Sequence, residues 1–148
     1  MVALASMDNS ETNEVRSRPR RERRLASVVR VVDAAGNEVC TYCEVAESTL
    51  ARMRGLMGRD RLEPGHGMLI NGTASIQMLF MRFPIDVVFL GRDKAIVGIS
   101  HHVRPWRGIA GARGASAALE LPAGAAKSHD LQVGDLLSLI PLSDSSVS

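Results

Sequence analysis

The chain has 148 residues and a formal net charge of +2, and this length fits one domain of ordinary size. Hydrophobic residues make up 45% and aromatic residues only 3%, which predicts an aliphatic core and excludes a stacked aromatic platform for single-stranded nucleic acid. Two cysteines exclude the disulfide framework of a small secreted domain, and no apolar run approaches the roughly 20 residues of a membrane-spanning helix.

Residues 1–27 hold all of the excess positive charge and show no apolar periodicity. Acidic residues come first and arginines follow, so we expect a disordered, solvated arm. Its apolar beginning is too short for a signal peptide, and the expected location is therefore the cytoplasm. As an alternative role, the arm could bind nucleic acid non-specifically, through phosphate contacts made by its arginines. These are Arg16, Arg18, Arg20, Arg21, Arg23 and Arg24.

From residue 28 the pattern is mostly that of short strands separated by turn residues. Segments 28–33 and 38–45 predict a hairpin, because strand-like runs flank turn residues. A helix is predicted over 48–57, with Leu50, Met53 and Met57 forming one apolar stripe. The remaining predicted elements are a strand at 67–70, an apolar piece at 76–81, a second hairpin made of strands 87–90 and 95–100, a glycine-rich loop at 107–115, strands at 117–121 and 136–142, and one helical turn at 123–127.

These elements predict an α+β domain with a mainly antiparallel sheet, curled or barrel-like, and one short helix packed on it. We expect this single domain to span residues 28–142, with a frayed tail at 143–148. The sequence contains no phosphate-binding loop, dinucleotide fingerprint or zinc-protease motif. We therefore expect no cofactor.

A series of short motifs runs through residues 44–139. They are Val45-Ala46, Arg54-Gly55-Leu56-Met57-Gly58-Arg59, Gly67-Met68-Leu69, the run from Phe80 to Leu90, Leu119-Glu120-Leu121-Pro122-Ala123-Gly124 and Gly134-Asp135. In this order they resemble the prokaryotic family called domain of unknown function 192. The resemblance implies a compact β-rich α+β domain and no particular reaction. Many relatives carry a His-Thr pair where this chain has Gln77 and Met78, so no role of that pair as base or ligand is carried over.

The motifs that resemble the family also indicate a candidate pocket. Its residues are Arg54, Gly55, Met57, Arg59, Met68, Met81, Arg82, Asp86 and Glu120. No nucleophile–base pair can be assembled from them, which favours a binding or accessory module over an enzyme. Two alternatives stay open: an enzyme that uses Asp86 or Glu120 as general acid or base, and a DNA-associated regulator that acts through the arm.

Asp86 and Glu120 each stand next to apolar residues, so part of each carboxylate is expected to be buried. A buried carboxylate needs hydrogen bonds or an ion pair. We expect Asp86 to accept backbone N–H groups or to pair with Arg54, Arg59 or Arg82, in preference to a chemical role.

Cys40 and Cys43 form one Cys-x-x-Cys pattern within a predicted strand. Strand alternation would place the two side chains on opposite faces, which argues against a redox pair or a metal site. The adjacent His101 and His102 are likewise expected to point apart, as residues at the rim of the domain. The sequence therefore predicts no metal site.

Overall fold

The structure is a computed structural model that describes residues 28–46, 59–79, 81–106 and 108–142. Within these residues the strands are β1 (Val28–Val32), β2 (Glu38–Ala46), β3 (His66–Asn71), β4 (Ser75–Gln77), β5 (Ile85–Leu90), β6 (Ile96–Val103), β7 (Ile109–Gly111), β8 (Ala117–Pro122) and β9 (Ser138–Pro141). One helical turn, α1 (Ala125–Ser128), follows β8. The predicted arm at 1–27, helix at 48–57 and tail at 143–148 lie outside the described residues.

Seven strands form one sheet in the order β6-β5-β8-β3-β2-β1-β9, and β4 pairs with β7 in a second, two-stranded sheet. In the large sheet β2 and β3 run parallel, and the other neighbours are antiparallel. The prediction of a β-rich fold with a small helix is confirmed. A closed barrel is not formed by the described strands, because the edge strands β6 and β9 do not pair with each other. The segments just before them are joined by a single bridge, between Ala95 and Leu136.

Two hairpins follow the predicted pattern, β1–β2 and β5–β6. The first turn depends on Asp33, whose carboxylate accepts the backbone N–H of Asn37 at 2.8 Å and of Ala35 at 3.0 Å. Hydrogen bonding by Asn37 and Ala35 holds the pKa of Asp33 below its usual value. In the second turn Asp93 accepts the N–H of Ala95 at 3.0 Å. Side-chain acceptors of this kind explain why both connections are tight.

The centre of the large sheet is buried on both faces. Its central strands β3, β5 and β8 are buried at nearly every position, as expected of strands covered on two sides. We call one side the helix face, since its core includes Leu69, Val88, Leu119 and Ala126 of α1. We call the other the methionine face, since its core includes Met68, Met78, Met81 and Phe89.

Three predicted segments differ from the structure. The glycine-rich loop at 107–115 contains the strand β7, and of the apolar piece 76–81 only residues 76–77 belong to a strand, β4. The final strand is shorter than 136–142. These strands have three or four residues each, too few for a clear alternation of apolar and polar positions. None of the described helical residues forms a segment with the length and hydropathy needed to cross a bilayer.

Candidate functional site

Asp86 is fully buried, and the alternation of β5 places it on the helix face with Val88. Its Oδ1 accepts the backbone N–H of His102 at 2.9 Å, and its Oδ2 accepts those of Gly124 and Ala126, each at 3.0 Å. The last two donors belong to the beginning of α1, where backbone N–H groups lack partners within the helix. One carboxylate thus joins β5, β6 and α1. The prediction that Asp86 accepts backbone N–H groups is confirmed.

Both adjacent histidines approach this carboxylate. Ile85 pairs with Val103 and Val87 with Ser100, so two residues of β6 stand opposite Asp86 in a β-bulge. Nδ1 of His101 lies 3.9 Å from Oδ2, and Nδ1 of His102 lies 3.8 Å from Oδ1. His102 also has a φ of 49°, in the left-handed region. The prediction that the two imidazoles point apart is wrong, because the bulge and the positive φ interrupt strand alternation.

A cavity of about 470 Å³, which we call the histidine cleft, opens beside these rings. It is lined by His101, His102, Gly124, Lys127, Asp130, Leu131 and Gln132. The histidine side chains are 52% and 64% exposed. Because each ring turns its Nδ1 edge to Asp86, the opposite Nε2 edge is the one left for a ligand. Within the described part of the chain, no carboxylate lies within salt-bridge distance of the Lys127 ammonium.

A second cavity, of about 550 Å³, lies at the β2–β3 side of the domain and is called here the charged groove. It is lined by Tyr42, Glu44, Arg59, Asp60, Arg61, Glu63 and His66. Arg59 Nη2 lies 3.4 Å from Glu44 Oε1, and Arg61 Nε lies 2.9 Å from Glu63 Oε1. The opposite charges of the charged groove therefore already neutralise one another.

The candidate pocket residues are divided between several parts of the fold. Arg59 lines the charged groove, Arg82 Nη1 lies 3.7 Å from Asp60 Oδ1 at the surface, and Asp86 borders the histidine cleft. Three others are buried on the methionine face, namely Met68, Met81 and Glu120. Outside the described residues lie Arg54, Gly55 and Met57. Neither Arg59 nor Arg82 supplies a partner for Asp86, whose hydrogen bonds in the described residues come from the backbone.

Asp86 and Glu120 lie on neighbouring strands but on opposite faces of the sheet. The β5–β8 ladder pairs Asp86 with Leu121 and Val87 with Glu120, and directly opposite residues share a face. Leu121 belongs to the core of the helix face and Val87 to that of the methionine face. The sheet itself separates the two carboxylates, so they cannot act together on one substrate.

Cys40 and Cys43 share the helix face, contrary to the prediction. Their partners on β1 are Val31 and Val29, so two residues of β2, Thr41 and Tyr42, stand opposite the single residue Arg30. The backbone N–H groups of residues 41 and 42 both donate to the carbonyl of Gly65, at 2.8 and 3.1 Å. This is a β-bulge, and the extra residue cancels the change of face. Both cysteines are fully buried free thiols.

Sequence reasoning missed Lys127, Asp130 and Gln132 as cleft residues. They lie near the histidines because the first backbone N–H groups of α1 donate to the carboxylate of Asp86. This contact joins positions about 40 residues apart in the sequence. The available signal was the glycine at 124 before a short helical run. Among the residues that the structure describes, no three His, Cys, Asp or Glu side chains form a group that could hold a metal ion.

Comparison with known sequences finds uncharacterised relatives. The family model of domain of unknown function 192, described as "Uncharacterized ACR", matches residues 30–139. A UPF0127 protein of Pyrococcus abyssi is 32% identical over 103 residues, which cover 66% of this chain and 85% of the relative. A UPF0127 protein of Pyrococcus furiosus is 32% identical over 108 residues, which cover 69% and 90%.

Two solved structures share the fold. A protein of Sinorhizobium meliloti described as a "putative transcription regulator" has a TM-score of 0.66 and 30% identity, over 78% of this chain and 95% of that chain. A protein of unknown function from Novosphingobium aromaticivorans has a TM-score of 0.64 and 25% identity, over 75% and 83%. With the family model matched across residues 30–139, this chain belongs to the domain of unknown function 192 family, whose biochemical function is uncharacterised.

Proposed function

We propose that this protein is a small cytoplasmic binding module that takes an oxyanion, a carboxylate or phosphate group, in the histidine cleft. The observation that carries the proposal is the setting of Asp86. Three backbone N–H groups occupy its oxygens and two imidazoles turn their Nδ1 edges towards it. A carboxylate held in this way supports the rings that a ligand would contact. It is poorly placed to exchange a proton with a substrate, which disfavours the alternative of a general acid–base enzyme.

The groups of the cleft that would contact an anionic ligand are Lys127 and the two imidazoles, and the Asp130 carboxylate of the lining does not pair with Lys127. Lys127 supplies an ammonium group, and a protonated imidazole donates from Nε2 as well as from Nδ1. Hydrogen bonds between charged donors and an oxyanion are among the stronger ones in proteins. The charged groove is larger, but its ions already pair with one another and would have to be separated first. The two buried free thiols support a reducing compartment such as the cytoplasm.

NMR titration with inorganic phosphate, and separately with acetate, tests the proposal. We expect saturable shifts of the His101 and His102 ring signals, with those of His129 unchanged. Lys127→Met should weaken binding about tenfold or more, since a hydrogen bond to a charged group contributes about 1.5–3 kcal/mol. Lys94→Met removes the same charge from a residue that does not line the cleft and is the matched control. Ring signals that do not shift, or equal losses in the two lysine variants, would contradict the proposal.

A DNA-associated regulator is the second candidate. It is supported by the six arginines of residues 1–27 and by the solved relative that is described as a "putative transcription regulator". Fluorescence anisotropy with a labelled duplex tests it. Binding should fall steeply with salt and disappear when residues 1–27 are deleted. Binding that survives the deletion would show that residues 1–27 are not the DNA-binding segment.

A further inference from the structure

The bulge in β2 gives Cys40 and Cys43 a spacing that strand residues three apart do not normally have. Their β1 partners, Val31 and Val29, are two residues apart. Two strand residues span about 6.6 Å, so the Cα atoms of the cysteines are separated by roughly that distance. Disulfides bridge Cα separations of roughly 4.4–6.8 Å. The pair therefore lies near the upper end of the range in which a disulfide can close.

The two sulfur atoms share one environment in the core of the helix face. Sγ of Cys40 lies 3.3 Å from the carbonyl oxygen of Gly65, and Sγ of Cys43 lies 3.8 Å from that of Glu44. Gly67 leaves room for the Cys40 sulfur, because a Cβ at Gly67 would lie 3.0 Å from it. The residues around the pair thus leave space for the sulfur atoms on one side of the strand.

The two thiols differ in acidity. Hydrogen bonding by Cys43 lowers the pKa of Cys40. The same interaction, together with burial, raises the pKa of Cys43. Cys40 is therefore the thiol that ionises first, and Cys43 is the one that keeps its proton.

We propose that Cys40 and Cys43 form a modification site, in which a small peroxide oxidises the pair to a reversible disulfide. The Cys40 thiolate attacks one peroxide oxygen, so that an S–O bond forms, the O–O bond breaks and hydroxide leaves to become water. Cys43 then attacks the Cys40 sulfur, so that the S–S bond forms and the sulfenic oxygen leaves as water with the Cys43 proton. Overall two thiols are oxidised and one hydrogen peroxide is reduced to two water molecules. A dithiol reductant returns both cysteines to thiols by exchange.

Oxidation of the pair is separate from ligand binding in the histidine cleft, and its effect reaches from the core to the surface. Closing the disulfide pulls the two ends of the bulge together, and Tyr42 lies within the bulge. The ring of Tyr42 lines the charged groove and lies 5.2 Å from the ring of His66. We therefore expect the ring signals of Tyr42 and His66 to shift on oxidation.

The test treats the full chain with hydrogen peroxide under native conditions and then alkylates it in denaturant for mass spectrometry. We expect both thiols to disappear together, the mass to fall by two hydrogen atoms, and dithiothreitol to restore both. Because the bond is near its geometric limit, we expect it to be reduced more readily than an unstrained disulfide. Separate over-oxidation of each cysteine, dimers linked between chains, or thiols that stay free under excess peroxide would each overturn the proposal.

Two variants and one further measurement separate the roles of the thiols. Cys43→Ser should stop at a sulfenic acid on Cys40 that dimedone traps, whereas Cys40→Ser should react much more slowly. Wild-type oxidation in low, non-denaturing urea covers the case in which a variant does not fold. A rate that rises in proportion to the unfolded fraction would mean that only the unfolded chain reacts, and the proposal would fail.

Discussion

Replacing Asp86 with asparagine tests the central contact of the fold. Asparagine has nearly the same shape, but it keeps one acceptor oxygen and puts an NH₂ donor in place of the other. With the amide oxygen towards Gly124 and Ala126, the NH₂ group faces the backbone N–H of His102. The hydrogen bonds from Gly124 and Ala126 then go to a neutral oxygen instead of a charged one. The hydrogen bond from His102 is lost, and its backbone N–H is left without an acceptor.

The expected loss follows from these three bonds. Hydrogen bonds to charged groups contribute about 1.5–3 kcal/mol and neutral ones about 0.5–1.5, so each retained bond weakens by about 1 kcal/mol. The unsatisfied donor adds about 1–3 kcal/mol. We therefore expect Asp86→Asn to lower the free energy of unfolding by about 3–5 kcal/mol at neutral pH. The melting temperature should fall by about 10–15 °C, given a few degrees per kcal/mol in a domain of this size.

Urea unfolding followed by Trp106 fluorescence and circular dichroism measures this loss. Asp93→Asn is the matched control, since Asp93 accepts one backbone N–H in an exposed turn and should lose less than about 1 kcal/mol. A variant as stable as wild type at neutral pH would refute the reasoning, and a more stable one would indicate a site that sacrifices stability for function.

Three further predictions concern the β1–β2 turn, the core of the helix face and the close approach of strands at Gly67. Asp33→Asn should lower the urea midpoint at pH 7 but not in strong acid. Because the pKa of Asp33 is lowered in the folded state, its carboxylate stabilises the fold at pH values above the ordinary pKa of 3.8, and this stabilisation is lost as the pH falls through the folded-state pKa. If Asp33→Asn still lowered the urea midpoint in strong acid, the electrostatic cause would be contradicted. Leu119→Ala should lower the free energy of unfolding by about 2–5 kcal/mol, because Leu119 is fully buried. Leu136 is 54% exposed, so Leu136→Ala should cost less than about 1 kcal/mol. Equal losses in thermal melts of the two variants would contradict the assigned core. Gly67→Ala should cost about 1–3 kcal/mol, because its Cβ would lie 2.9 Å from the Glu120 carbonyl oxygen; an unchanged melting temperature would show that the strands can separate there.

Local patterns in the sequence predicted the two hairpins, because strand residues and turn acceptors lie next to each other in the chain. The position of β3 could not be read in this way. It runs parallel to β2 and antiparallel to β8, and both pairings join segments that are distant in sequence. The mixed character of the sheet therefore depends on long-range packing that no local window contains.

The candidate site shows the same limit at the scale of single residues. Burial of Asp86 followed from its apolar neighbours, and its backbone donors could be anticipated from the cost of an unpaired charge. The sequence did not show that the side chains of His101 and His102, or those of Cys40 and Cys43, lie on the same side of their strand. A β-bulge causes this in both pairs, and a bulge is defined by the register of the partner strand. A single extra residue in a strand reverses every inference that rests on alternation.

The pairing of β1 with β9 has a consequence for synthesis of the chain. Val31 lies opposite Leu139, so the first described strand is flanked on both sides only after the last one leaves the ribosome. At about 5–20 residues per second, roughly 5–20 s pass between the two. Throughout that interval one edge of β1 is an open template for other chains. Nascent chains crowded on one messenger are thus most exposed to cross-pairing before β9 emerges, and slow translation of the final third lengthens that exposure.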